Sequence, residues 1–544
     1  MELKKPLVLA MAGTMLVGCG SSAGGSATGT TSGGSSVTVA MDADLNTMDY
    51  DLATDGNSFI MQSMCVSGLA MLDADGQPQP DLAEKWDVSE DGKTYTFHLR
   101  DGIKWSNGDP VTADDFVYGW RRLVDPDTAS EYNFIVSTIG VVNADEVIAG
   151  EKPVEDLGVE ATDDSTFVVH LTQPCGFLLG LMAFPSFFPL NQKFYEEKGD
   201  QFGVGSVDDI LYCGPYTMTD WQAGNQYTFT KNDDYWDADA VDTDTVTFKF
   251  LQDTQSAMLE FQQGNIDVVK LASEQVDAYK NEEGFTTRLT GYAWRLDFNY
   301  EVDKLNNLDL RKAISLAIDR NSLADDVLKD GSIAAKGFIP EQFAYGPDGK
   351  DYRETSGDLI DTDADADAAE AEYEKAKAAL GGDVTIDLLY EDSEACKAVA
   401  ENLQQQLQTA LPGLTVTMNC KPKKTRLELS NSHQYEVMLT RWGPDYADPQ
   451  TYLDLFRSTR AGYTGTYVND DYNTLLDKAF FGEDAADAEK RWADMVEAEK
   501  MLIDDVAMVP LYQNGGAMMI NPKVYGIEFH SGGVDSYRFV KKAA

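Results

Sequence analysis

Asp361, Asp363, Asp365 and Asp367, with Glu372 at the twelfth place of the run, have the spacing of a calcium-binding loop. Alternate carboxylates closed by a bidentate glutamate would ligate a hard cation. The sixth place, where the sharp turn of such a loop needs glycine, is Ala366, and no helical pattern precedes the run. The acids instead open a helix expected over Ala366 to Leu380. They favour its positive end, and Gly381 with Gly382 stops it. Other chemistry finds no footing either. The histidines His98, His170, His433 and His530 form no HExxH word and no close ligand spacing. Gly20 to Gly24 carries the letters of a nucleophile elbow, but no strand precedes it. The chain therefore reads as no enzyme, with no metal and no cofactor.

Cysteine offers two other kinds of chemistry. Cys19 follows Leu16, Val17 and Gly18, after Lys4, Lys5 and an apolar run from Pro6 to Val17 that is too short to span a bilayer. That pattern is expected as a signal peptide over 1–18 with Cys19 as the acylated first residue. Residues 19–36, rich in Gly, Ser, Ala and Thr, follow as a tether. The second kind is a disulfide. A strand over Asp383 to Tyr390, a helix over Ser393 to Ala410 and a strand over Leu414 to Cys420 form a parallel βαβ unit. Such a unit brings Cys396 and Cys420 to one sheet edge, either as a disulfide or as two small buried thiols. Cys65, Cys175 and Cys213 cannot be paired from the sequence.

The chain has 544 residues, 43% of them apolar, enough to bury a large core in two or three lobes. After the N-terminus no stretch is long and apolar enough to cross a membrane. The best, Cys175 to Leu190, is broken by Gly176, Gly180, Pro185 and Pro189. Against 43 Lys and Arg stand 92 Asp and Glu, a net charge of −49. Such a surface excludes nucleic acid and repels anionic headgroups. It serves either as a solvated, salt-tolerant face or as a field that draws in cationic ligands.

Downstream, the elements form recognisable words. Asp91 and Gly92 make a turn before an alternating strand to Leu99, and Thr112 caps a helix with Asp114 and Asp115 in its first turn. Then come Gly214 to Trp221, Lys231 to Trp236, Leu310 to Arg320, Gly337 to Pro340 and Arg441 to Pro449. In this order the words resemble the family 5 extracellular solute-binding proteins of peptide ABC importers, from Val37 to about Tyr537.

The resemblance implies an α/β, bilobal, periplasmic-binding-protein-like type II fold that closes over its ligand on a hinge of crossing strands. Lobe one is expected over 37–60, 186–290 and 511–544, an inserted subdomain over 61–185, and lobe two over 291–510. It also implies a peptide lying extended between the lobes, paired like an added strand. Its α-amino group would meet Asp445, because a buried ammonium demands a carboxylate. Trp442 would wall the site and Gly443 would offer backbone groups. Tyr132 would contact ligand backbone from the subdomain. Thr54 to Asn57, Gly56 included, falls where lobe one lends a strand. Lys423 replaces a cleft tryptophan, and either receives a carboxylate or points to solvent. Arg441 adds a cation beside Asp445 that would compete with the ligand amine. Tyr292 and Trp294 line the cleft or pack in the core. The implied partners are a peptide, permease subunits with cytosolic ATPases and, through the lipid alone, a membrane; a monomer is expected. The family also serves nickel, haem, opines and oligosaccharides. An oligosaccharide binder and a peptide-sensing surface receptor are therefore the alternatives.

Overall fold

The computed structural model describes residues 35–444, 446–459 and 465–543. Cys19, the signal peptide and Asp445 lie outside the described residues. Ser35–Ala544 forms one compact unit.

Local chemistry sets the small elements. Gly92 takes φ +68° at the expected turn, and Thr94–Leu99 alternates so that Tyr95, Phe97 and Leu99 point inward. This strand joins Ala83–Val88, Val159–Asp163 and Thr166–His170 in a four-stranded antiparallel sheet. The helix Ala113–Val124 packs on the sheet through Phe116 and Trp120. Its capping box is formed, with the Thr112 backbone N–H donating to Asp115 Oδ2 at 2.9 Å. In the distal part, helix Ala366–Leu380 is capped by Asp365 and ends at Gly381, which has φ +85°.

An eleven-stranded mixed sheet organises the whole chain. Its path runs Thr415–Lys421, Thr385–Glu391, Val437–Trp442, Phe285–Phe298, Met508–Ile520, Val268–Lys270, Ser36–Met41, Thr245–Phe250, Gln226–Lys231, Tyr216–Gln222. The two central strands are long, 14 and 13 residues, and pair antiparallel from Phe285–Met519 to Asp297–Met508. Their register breaks between Leu289–Gly515 and Ala293–Gln513, so residues 290–292 bulge opposite Asn514. Side-chain bonds fix the bulge: Thr290 Oγ1 donates to Asn514 O at 2.9 Å, and Gln513 Nε2 to Thr290 O at 3.0 Å. On either side of this pair the cores are separate. One cluster runs from Val37 to Phe248 and takes in Val524, Tyr537 and Val540; two others gather side chains between Ala293 and Tyr512.

The βαβ unit forms as expected, with Tyr390 opposite Cys420 in parallel register, but both its cysteines are free thiols. Cys396 is buried under its helix in the distal core, whereas Cys420 is exposed on the edge strand, against the Tyr390 phenol. The disulfide expectation is corrected: the topology brings the segments to one edge, but the two side chains go to different environments. Among the described residues no helix is long and apolar enough to cross a membrane.

Candidate functional site

Pairing along the central strands places the Arg441–Pro449 word. Ala293 faces Trp442 and Trp294 faces Arg441, so the word leaves the sheet beside the 290–292 bulge. The Arg441 guanidinium lies 5.3 Å from the Tyr292 ring centre and 5.0 Å from that of Trp294, a cation–π arrangement. Trp442 is half-buried, and its Nε1–H donates to Thr451 Oγ1 at 2.9 Å. A Cβ at Gly443 would stand 2.1 Å from the Tyr292 ring, so only glycine leaves that ring its place. Trp294 is buried against Tyr512, whereas Tyr292 is 45% exposed.

The other expected residues are scattered. Tyr132 is half-buried in an aromatic nest with Phe59, Phe134 and Phe184, at ring distances of 5.5, 5.7 and 5.5 Å. Lys423 is exposed at the first turn of the helix Lys423–Asn431 and makes no ion pair among the described residues. Thr54 and Gly56 need a correction, because no strand forms there. Gly56–Cys65 is a helix, and the Asp55 side chain caps it by accepting from the Ser58 N–H at 2.9 Å. An Asx cap at the residue after Thr54 outcompetes the extended form.

Three parts of the chain enclose a cavity of ≈ 230 Å³. Phe177 and Phe184 come from the proximal segment, Tyr446, Asp448 and Trp492 from the distal one, and residues 528–539 from the C-terminal return. None of the described expected residues lines it. Their word reaches it through Tyr446 to Asp448, and Tyr132 through its neighbour Phe184. A second hollow of ≈ 230 Å³ shares Asp75, Phe343, Tyr345, Ala447 and His530 with the first, so the two adjoin.

Firm contacts line this seam, and one of them crosses it. The Phe177 and Tyr446 rings stack at 3.9 Å and 7°. Arg491 grips Asp448 with two bonds of 2.8 Å and adds Gln450 Oε1 at 2.9 Å; a Cβ at Gly176 would stand 3.3 Å from its Nη1. Burial opposes the Arg491 charge, but Asp448 outweighs it and holds the guanidinium pKa above its usual value. Arg538 likewise donates to Asp81 at 2.7 Å, Ser67 at 2.6 Å and Tyr235 at 3.1 Å. His530 points Nδ1 at Val534 O at 2.7 Å and Nε2 at Asp73 O at 2.9 Å, two acceptors of which a neutral ring can donate to only one. Cys175, in the same wall, is pushed up to about 12 by burial and is no nucleophile. Among the described residues lining the cavity, no base and nucleophile are paired. Among the described residues no group of three metal-ligating side chains comes together.

The Cys175–Phe184 wall, Trp492, Arg491 and residues 528–539 carry no local signal that names them as cleft residues. Each reaches the seam only through long-range folding.

The family model of bacterial extracellular solute-binding proteins, family 5 Middle, matches residues 77–464. The chain belongs to that family. The dipeptide-binding protein of Lactococcus lactis is 31% identical over 97% of this chain and 96% of its own. The peptide-bound OppA of Listeria monocytogenes is 34% identical, covers 94% of this chain and 100% of its own, and superposes with a TM-score of 0.74. The murein tripeptide-binding protein MppA in its unliganded open form is 26% identical over 94% of this chain and 98% of its own, with a TM-score of 0.80. The fold of this family 5 protein is thus the bilobal, type II periplasmic-binding-protein fold, and its role is solute binding.

Proposed function

We propose that this chain captures oligopeptides in the cleft between its lobes and delivers them to an ABC permease driven by cytosolic ATPases, without catalysis. The observation that carries this reading is a pair of adjoining hollows walled by proximal, distal and C-terminal segments, to which the Arg441–Pro449 word contributes Tyr446, Ala447 and Asp448. Relatives named for dipeptide and oligopeptide binding along nearly the whole chain support it. Lobe one over 37–60, 186–290 and 511–544, the subdomain over 61–185 and lobe two over 291–510 belong to the same proposal; the register break at 290–292 agrees with the boundary. So do a monomeric state and a lipid anchor at Cys19 on the outer face of the cell membrane, which membrane fractionation of a Cys19→Ala strain checks.

In this reading Asp445 takes the peptide ammonium. Calorimetry with short free-amine peptides and their N-acetylated counterparts tests the clamp. Free peptides are expected to bind at least about tenfold tighter, and Asp445→Asn to erase the difference. Equal binding of both sets to the unsubstituted protein contradicts it.

A further inference from the structure

The cleft's charged groups divide into those already spent within the protein and two carboxylates that are not, the exposed Asp75 and the partly buried Glu528. We propose that Glu528 makes the cavity selective for a cationic side chain, a lysine or arginine of the bound peptide; this rests on the peptide reading above. Asp448 is committed to Arg491, and Arg538 to Asp81, Ser67 and Tyr235. Both nitrogens of His530 face carbonyl oxygens. Glu528 is held at the cavity wall by its backbone: its N–H donates to Ser536 O at 3.0 Å, and Ser536 N–H to Glu528 O at 2.8 Å. Its carboxylate forms no ion pair among the described residues, and the Ser536 side chain is its hydrogen-bonding neighbour.

Burial pushes the Glu528 pKa above the ordinary carboxylate range and Asp73 adds to this, against the opposing pull of His530, Ser536 and Arg538. A carboxylate so placed is costly while unpaired, and an incoming ammonium or guanidinium relieves that cost. Asp75, exposed on the neighbouring turn, lines the same cavity and adds to the field of a chain of net charge −49. The walls suit the rest of such a residue. Phe177 and Tyr446 offer apolar faces to an alkyl stem. Trp492, 9% exposed, adds a further aromatic surface to the same wall.

The test is calorimetry on ligand-free protein with trialanine variants carrying lysine, norleucine or glutamate at each position in turn. At one position lysine is expected to bind at least about tenfold tighter than norleucine, and glutamate weaker than both. Glu528→Gln should bring lysine and norleucine within about twofold, and an unfolding midpoint matching the parent's shows that the variant is folded. In the unsubstituted protein the lysine preference should fade as pH falls through the Glu528 titration. Trialanine binding with no lysine preference, or a preference that survives both E528Q and acidification, overturns the proposal and leaves peptide capture standing. Failure of every peptide to bind overturns both.

Discussion

At Asp51 a carboxylate 1% exposed shares the Arg122 guanidinium with Asp49, at 2.6 Å from Asp51 and 2.6 and 2.8 Å from Asp49. Burial, with the Asp49 charge adding to it and Arg122 opposing, raises Asp51 to about 7 from 3.8. The folded state therefore keeps a proton here that the unfolded chain gives up from about pH 4. Stability from this group is full below about 4 and is lost as pH rises through about 7, a change of up to about 4 kcal/mol. Asp51→Asn should flatten the profile, its Tm gaining on the parent's between pH 4 and 8 while Asp49 still holds Arg122. Parallel Tm–pH curves for the two proteins contradict the assignment. Such residues were not legible in the sequence, since Asp51 looks like any acid in a chain with 92 of them. Asp445 could be singled out only because its neighbours form a word. Glu528 and Trp492 have no such neighbours, and only the fold brings them into the cleft.

Among the elements, legibility followed local chemistry. Thr112 with Asp115, Asp365 with Gly381, and Ser393 at the start of Glu394–Ala410 fix helix ends through bonds within a few residues, and these ends fall where the sequence placed them. Thr54 to Asn57 was misread because a strand was carried over from the resemblance against the cap that Asp55 supplies. The central bulge was illegible, since it depends on Asn514 meeting residues more than two hundred positions away. Gly515, next to Asn514, shows how tightly that crossing is packed. A Cβ there would stand 2.1 Å from the Gly331 carbonyl carbon and 2.4 Å from Ser332 N, backbone atoms that cannot swing aside. At Gly516 the nearest contact would be Arg288 Cγ at 3.8 Å. Gly515→Ala should therefore cost about 1–3 kcal/mol in urea unfolding, and Gly516→Ala much less. Equal midpoints for the two variants would contradict the close approach.

For the whole molecule, two lobes joined by the long central strands give a device whose open and closed forms differ at the seam. A ligand closes it only by binding the closed form better than the open one, which contacts from both walls supply. The family and fold were legible because the words span the chain. The cleft's lining was not, because it is assembled from segments far apart in sequence. Small-angle scattering of ligand-free protein, with and without a saturating pool of short peptides, tests peptide capture between the lobes most directly. The account predicts a smaller radius of gyration with peptides and no change with oligosaccharides. No contraction with peptides, or contraction with oligosaccharides alone, would contradict it.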